Sequence, residues 1–407
     1  SGDAMKHIAY LVVGENKGQK RIWLEGRKLE ESNFTPGCNI RVVVDNSSKE
    51  IVIELDEQSG RVVSSRIKRG VAQPIIDICN TSITQMFKSI RKIKAVFSKN
   101  KIVITVHPDE VARQERLRRL NDKVAAGQPL TCGSVAHGGG IMDCAIHMGL
   151  EDSGLSSSLG FGVEIEQKYL ECSLNNNPVW NDDSLAIEAP MENVIVGDLP
   201  TVEIFVAGLP CTGASIAGKS KNKLAHAEDH KGAGALFIAF LNIIKQINPA
   251  IVVLENVPQY ASTASFSVIR ATLDTWGYDL HETVLNGNAM GALENRDRFV
   301  MVAVTKGMDC DLSKIVPVRQ KESCLAEILD DVSDSDPVWQ KYEYLRIKEK
   351  NDKAAGKGFA MQILDGEATS CGTIGRGYGK IRSTEIKIAH PVNPDLMRQI
   401  SVKEHAK

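Results

Sequence analysis

From Leu130 onward the chain alternates short apolar runs with amphipathic stretches, and no other feature limits its fold as strongly. Runs such as Val202-Glu203-Ile204-Phe205-Val206-Ala207, Ile251-Val252-Val253-Leu254 and Phe299-Val300-Met301-Val302-Ala303-Val304 read as buried strands. A helical stretch from Ala233 to Gln246 separates the first two. Strands that alternate with helices imply a parallel sheet covered on both faces. The expectation is an α/β domain, Rossmann-like, with a doubly wound and mostly parallel sheet.

In such a sheet ligands bind at the C-terminal edge of the strands. Several strand ends here carry reactive or ligand-holding residue types. Val202–Ala207 leads into Gly208-Leu209-Pro210-Cys211, a thiol behind a proline that fixes the backbone. Ile251–Leu254 leads into Glu255-Asn256-Val257, and Arg296-Asp297-Arg298 opens the next strand. Upstream, Val135-Ala136-His137-Gly138-Gly139-Gly140 follows a strand, and its glycines let backbone approach a ligand and turn at once into a helix. Gly162-Val163-Glu164-Ile165-Glu166 places an acid where such sheets hold ribose hydroxyls. Singly, each has a plainer reading: a turn, a strand end, a surface ion-pair cluster.

Together and in this order, residues from about 130 to 407 resemble the DNA (cytosine-5)-methyltransferase family. Its Pro-Cys motif stands as Gly208 to Ser215, its Glu-Asn-Val motif as Glu255-Asn256-Val257, and its Gln-x-Arg-x-Arg motif as Glu294-Asn295-Arg296-Asp297-Arg298. The resemblance implies the S-adenosylmethionine-dependent methyltransferase fold and S-adenosyl-L-methionine as cofactor. Cys211 would add to carbon 6 of a flipped-out cytosine, making carbon 5 nucleophilic. Glu255 would assist at ring nitrogen 3, Arg298 would bind the base carbonyl, and Arg296 would support the site. For the donor, it implies contacts from Val135, Ala136, Gly138, Gly139 and Gly140, with Glu164 on the ribose and Ile165 against adenine. Asp183 and Ser184 would reach the adenine amino group, and Pro210 and Leu236 would complete the pocket. The loop from Ser215 to Lys231, with Lys219, Lys221, Lys223, His226, His230 and Lys231, resembles the family's mobile lid.

The chain departs from the family pattern at several points. Val135 stands at the usual Phe, His137 at the first Gly of Phe-x-Gly-x-Gly-Gly, and Asp229-His230-Lys231 lacks the usual arginine. Residues 130–305 are expected to form the catalytic domain and 306–370 a short target-recognition region, with Thr373 to Lys380 along DNA. Residues 371–407 would return to the catalytic domain, reaching the opening of a ninth motif at Ile400 to Lys407. The family's tenth motif is not among them, so a fragment is expected.

Ahead of this lies a β-rich module, 1–106, with an internal repeat. Ile22-Trp23-Leu24, Leu29, Phe34, Ile40 to Val44 and Ile51-Val52-Ile53 are echoed by Ile76-Asp77-Ile78, Ile83, Phe87, Ile93 to Phe97 and Ile102-Val103-Ile104. The first copy resembles swapped-hairpin barrels of the AbrB and SymE type, which implies DNA binding and a barrel made here by one chain. Between Arg61 and Lys101 stand ten basic residues against one acid, Asp77, suiting either a phosphate-holding surface or a solvated sheet face. A charged helix from Asp109 to Ala126, within 107–129, is expected to connect the two domains.

The 407 residues, 43% hydrophobic, suffice for two domains or more. Nine cysteines without a Cys-x-x-Cys pair argue against a disulfide framework and a zinc site, so no metal is expected. No apolar run approaches a membrane span, and a cytoplasmic enzyme of bacterial or phage origin is expected. Double-stranded DNA is the expected partner, and a restriction endonuclease partner stays open. The alternatives are a tRNA cytosine-5 methyltransferase and a DNA-binding regulator that keeps the fold with weak catalysis.

Overall fold

The computed structural model describes residues 6–210, 236–358 and 360–407. Two compact units appear: Ser1–Gly127 with Asp274–Tyr278, and Gln128–Leu273 with Asp279–Lys407.

In the first unit the chain runs β1 (His7–Val12), β2 (Gly14–Asn16), β3 (Gln19–Glu25), α1 (Arg27–Glu30), β4 (Asn39–Asp45) and β5 (Glu50–Leu55). It then repeats the series as β6 (Arg61–Val62), β7 (Ser64–Lys68), β8 (Val71–Cys79), α2 (Thr81–Met86), β9 (Lys92–Ser98) and β10 (Lys101–Val106). Counterparts pair with each other: β3 runs antiparallel to β8 with Trp23 opposite Asp77, and β5 antiparallel to β10 with Val52 opposite Val103. A pseudo-two-fold axis therefore passes between the copies. Each half also lends a strand to the other, since β1 pairs with β9 and β6 with β4. An isolated hairpin is marginal in water because one apolar face stays wet. Exchange lets both halves bury that face in one core, where the counterpart rings Phe34 and Phe87 are fully enclosed.

The charged helix α3 (Pro108–Ala125) opens on His107, whose Nδ1 accepts the Asp109 amide at 3.0 Å. It belongs with the first unit. Arg116 is buried at 2% exposure, donates to the Trp276 and Gly277 carbonyls at 2.9 Å, and lies 3.8 Å over the Tyr278 ring. Of the ten basic residues, Arg66 pairs with Glu25 and Lys101 with Glu54. Among the described residues Lys68, Arg69, Lys88, Arg91, Lys94 and Lys99 form no ion pair.

The second unit is built on β11 (Leu130–Val135), α4 (Ile141–Asp152), β12 (Ser157–Glu164), α5 (Gln167–Asn176), β13 (Leu185–Glu188), β14 (Ile204–Gly208), α6 (Leu236–Ile247), β15 (Ile251–Asn256), α7 (Ala264–Thr275), β16 (Tyr278–Asn286) and β17 (Asp297–Thr305). The strands form one sheet of order β13-β12-β11-β14-β15-β17-β16. β11 to β15 are mutually parallel and β17 is antiparallel to β15. Chain order reverses between β11 and β14, which opens a crevice at their C-terminal ends. The near-continuous burial of β14, where only Gly208 is not fully buried, is what a strand covered on both faces requires.

Beyond β17 come α8 (Glu343–Ala354), β18 (Ile363–Leu364), β19 (Lys387–Ala389), β20 (Met397–Arg398) and α9 (Val402–His405). The last three strands form a separate small sheet. Leu293, Leu325, Cys371, Ile386, Ile388 and Ile400 share one core, so a boundary at 370/371 would cut through packed side chains. Residues 371–407 add no strand to the seven-stranded sheet; their apolar side chains pack with Leu293 and Leu325.

Glu404 caps α9 through a reciprocal box with Ser401, and its carboxylate takes two bonds from Arg398, at 2.7 and 2.8 Å. Burial alone would push its pKa up. The Arg398 guanidinium and the Ser401 and Asp330 amides outweigh that and hold it down at about 2. A depressed carboxyl stabilises the fold above its unfolded pKa and loses that contribution as pH falls through the folded one. Acid unfolding is expected to lose a component between pH values of roughly 4.5 and 2, worth on the order of 3 kcal/mol, that Glu404→Gln removes. A Glu404→Gln variant whose acid limb matches the parent in circular dichroism would refute this.

Among the described residues no helix is long and apolar enough to cross a membrane.

Candidate functional site

The parallel ladder between β14 and β15 sets Gly208 level with Glu255. A methyl-sized atom on Gly208 would lie 3.8 Å from Glu255 Oε2 and 3.9 Å from the Ala136 carbonyl, so three strand ends converge at this point. Two residues on stands exposed Pro210; Cys211 itself, and the lid from Ser215 to Lys231, lie outside the described residues. Buried Asn256 donates from Nδ2 to the Leu209 carbonyl at 3.2 Å and accepts the Val257 amide at 2.9 Å. It thereby ties the backbone leading to the thiol onto the strand that carries the acid.

Arg298 reaches Glu255 from β17. Its Nε lies 2.7 Å from Glu255 Oε1, and Nη1 donates to the Asp297 carbonyl at 2.7 Å. Both side chains of this pair are half-buried. A carboxyl so held can donate to or accept from a planar base, and the guanidinium keeps its orientation fixed. Arg296 turns elsewhere, to Glu294 at 3.8 Å. Glu294 also accepts the Ile374 amide at 3.0 Å, so this motif's first residue anchors the later segment around Cys371 to Ile374.

On the other side of the crevice, Glu164 is buried at 7% exposure. Its Oε2 accepts the Gly138 amide at 2.6 Å and its Oε1 the Glu166 amide at 2.9 Å, which leaves further lone pairs on each oxygen. Val135 is core, while Ala136 (φ 50°), Gly138 (φ 59°) and Gly140 (φ 73°) adopt left-handed backbone. A Cβ on Gly140 would sit 2.3 Å from the Asn177 amide nitrogen, so only glycine fits there; Gly138 and Gly139 face open space. Ile165 is 62% exposed beside the acid, and Leu236 is buried at the start of α6.

His137, standing at a family glycine, is buried under this loop. Its Nδ1 lies 2.8 Å from Ser134 Oγ and 3.0 Å from Asp143 Oδ2, and its Nε2 lies 2.7 Å from Ser173 Oγ. The imidazole fills the space beneath the turn and bonds its support, a role no motif signals.

Asp183 and Ser184 are not at this edge. They precede β13, and Ser184 Oγ donates to the Leu159 carbonyl at 2.7 Å, near the start of β12 and five residues short of Glu164. At about 3.3 Å per residue that is roughly 16 Å away along the strand. The residue level with Glu164 is Glu188, at the end of β13. Its signal in sequence is the acid ending Leu185-Ala186-Ile187-Glu188, which is legible only once the strand's register is known.

A doubly wound sheet in which β17 enters antiparallel between β15 and β16, with a glycine loop, a strand-end acid and a Glu–Arg pair along one edge, defines a methyltransferase-type fold. Residues 144–407 match the family profile of the C-5 cytosine-specific DNA methylases, and the chain belongs to that family. Type II methyltransferase M.NlaX of Neisseria lactamica is 33% identical over 221 residues, covering 52% of this chain and 66% of that protein. The DNA-cytosine methyltransferase of Escherichia coli (strain K12) is 29% identical over 207 residues, covering 45% of this chain and 43% of its own length. The chain thus spans less than two thirds of the curated relatives. The fold is also that of the S. pombe Dnmt2 methyltransferase, with TM-score 0.52 at 15% identity over 69% of this chain and 85% of that one.

The family's cofactor is S-adenosyl-L-methionine, and the residues present fit it. Glu164 keeps acceptor capacity for two hydroxyls, Ile165 offers an apolar surface beside it, and the open faces of Gly138 and Gly139 admit a ligand. Glu164→Ala is expected to weaken donor binding ten- to a hundredfold, roughly 1.5–3 kcal/mol, with little change in DNA affinity. Unchanged donor affinity in calorimetry would reduce Glu164 to a support for the Gly138 amide.

Proposed function

We propose that this protein methylates carbon 5 of cytosine in double-stranded DNA. The observation that carries the reading is the Glu255–Arg298 pair set level with Gly208, on the strand beside the one that leads into Pro210-Cys211. When bound, S-adenosylmethionine supplies an electrophilic methyl group; Glu164, Ile165, Gly138, Gly139, Val135, Ala136, Gly140 and Leu236 would hold it, with Glu188 in the place expected for Asp183 and Ser184.

Carbon 6 is closed off inside a base stack, so the target base is flipped out. The Cys211 thiolate adds to carbon 6, and the electron pair of the 5,6 double bond is pushed through the ring toward nitrogen 3 and the carbonyl. Glu255 stabilises that charge by hydrogen bonding or protonating nitrogen 3 while Arg298 holds Glu255 and faces the carbonyl oxygen. Carbon 5, now nucleophilic, takes the methyl. Removal of the carbon 5 proton then expels the thiolate and restores the double bond. Asn256 positions this chemistry through the Leu209 carbonyl rather than touching the base.

Transfer of labelled methyl groups to duplex DNA, run beside tRNA, tests the reading. Label in DNA as 5-methylcytosine is expected. Label in tRNA alone would favour the RNA-directed alternative, and donor and DNA binding without transfer would favour the regulator.

The basic N-terminal module fits a second set of phosphates, through the cations left without acid partners such as Lys68, Arg69, Lys88 and Lys99. Deleting residues 1–106 is expected to weaken DNA binding and to flatten its salt dependence, by about 0.9 in slope for each phosphate the module neutralises, without altering the methylated sequence. Equal slopes for the two proteins would assign that surface to solvent.

A further inference from the structure

The six-stranded sheet of the first unit carries an organised outer face that the proposed activity does not use. Along β9 and β10 the residues Ile93, Ala95, Phe97, Ile102 and Ile104 are core. Their neighbours in sequence therefore point the other way. Register aligns those outward residues into rows. Ile8 lies opposite Val96, Val96 opposite Val103, Val103 opposite Val52, and Val52 opposite Val43, a continuous aliphatic row across five strands. Its two ends are open to solvent, Ile8 at 49% and Val43 at 47%.

Charged rows flank this stripe, and they are unequal in sign. On the β9–β10 side stand Lys94 and Lys101; on the β5–β4 side stand Glu50, Glu54 and Asp45, with Arg41 beyond. The pseudo-two-fold makes the comparison direct. Val43 corresponds to Val96 and Val52 to Val103, whereas Glu50 corresponds to Lys101, Glu54 to Thr105 and Asp45 to Ser98. The halves thus share apolar positions and differ in charge. Lys94 and Glu50 have no ion partner among the described residues. Glu54 lies between Lys101 and Arg41, at 3.2 Å from each.

We infer that this face binds a second copy of the same chain, sheet against sheet, about a two-fold axis parallel to the strands. That axis lays β9 over the partner's β4 and β10 over the partner's β5. Row stacks on row; Lys94 meets the partner's Asp45, with the partner's Glu50 beside it, and Lys101 meets the partner's Glu54. The alternative axis, across the strands, sets Glu50 against the partner's Glu54 and is disfavoured by like charge. The interface is isologous and closes at two copies. Five strands about 4.8 Å apart span roughly 19 Å, which places the interface among the smaller specific ones, so the dimer is weak and concentration-dependent.

The inference is independent of the proposed methyl transfer. Sedimentation velocity on the whole chain is expected to show a reversible monomer–dimer equilibrium with Kd of about tens of micromolar. Val103→Asp, in the middle of the row on the outer face, should raise Kd at least about tenfold with the far-ultraviolet dichroism unchanged. Lys94→Glu and Glu50→Lys should each weaken association, and the double variant should recover part of it, since Asp45 still faces position 94; mere misfolding would not produce that recovery. A parent that stays monomeric to about 100 µM would overturn the inference. So would a dimer indifferent to Val103→Asp, or charge variants without mutual rescue.

Discussion

Cys211→Ser is expected to lower methyl transfer by at least about a thousandfold while leaving donor binding nearly intact. A serine hydroxyl in the same place is far less nucleophilic than a thiolate at neutral pH, and carbon 5 of cytosine stays unreactive until carbon 6 has been attacked. In the proposed site donor affinity would rest on other residues, Glu164 and the glycine loop among them, so binding and turnover should separate. DNA containing 5-fluorocytosine sharpens the test. The fluorine at carbon 5 cannot leave as a cation in place of the proton, so the parent protein should be trapped as a covalent adduct and the serine variant should not. The chain has nine cysteines. Mass spectrometry that places the adduct on any of the other eight would refute the assignment of the nucleophile.

Glu255→Gln is expected to cut kcat by about 10²- to 10⁴-fold, with donor binding retained. Glutamine keeps the shape and can still offer an amide hydrogen to nitrogen 3, but it cannot transfer a proton there. It also removes the charge that Arg298 binds at 2.7 Å, freeing a half-buried guanidinium to reorient. Two effects therefore act in the same direction. Single-turnover kinetics should place the loss in the covalent step, visible as slower adduct formation on 5-fluorocytosine DNA. A variant whose single-turnover rate stays within threefold of the parent would show that the Glu255–Arg298 pair is a structural clamp at the edge of β15.

Sequence alone determined the alternation that makes the second unit a doubly wound sheet, because apolar strands and amphipathic helices each declare their period locally. It likewise offered Cys211, Glu255, Arg298 and Glu164 as candidates, since polar residues at the edges of buried apolar runs stand out locally. The repeat in the first unit is legible for the same reason, as two copies of one apolar pattern. What the tertiary structure decided depends on pairing, which has no local signature. β6 is two residues long, and β1, though apolar, carries no local mark of its partner; only their exchange between the halves gives them a place. The family resemblance assigns Asp183 to the donor's adenine amino group. The register of β13 puts it before that strand and sets Glu188 beside Glu164 instead. His137 reads as a departure from a glycine motif, and only the packing of Ser134, Asp143 and Ser173 around it shows an imidazole bonded beneath the loop. The aliphatic row from Ile8 to Val43 is scattered over five separate strands. A sheet assembles it because strand register, fixed by the buried face, aligns the exposed face as well.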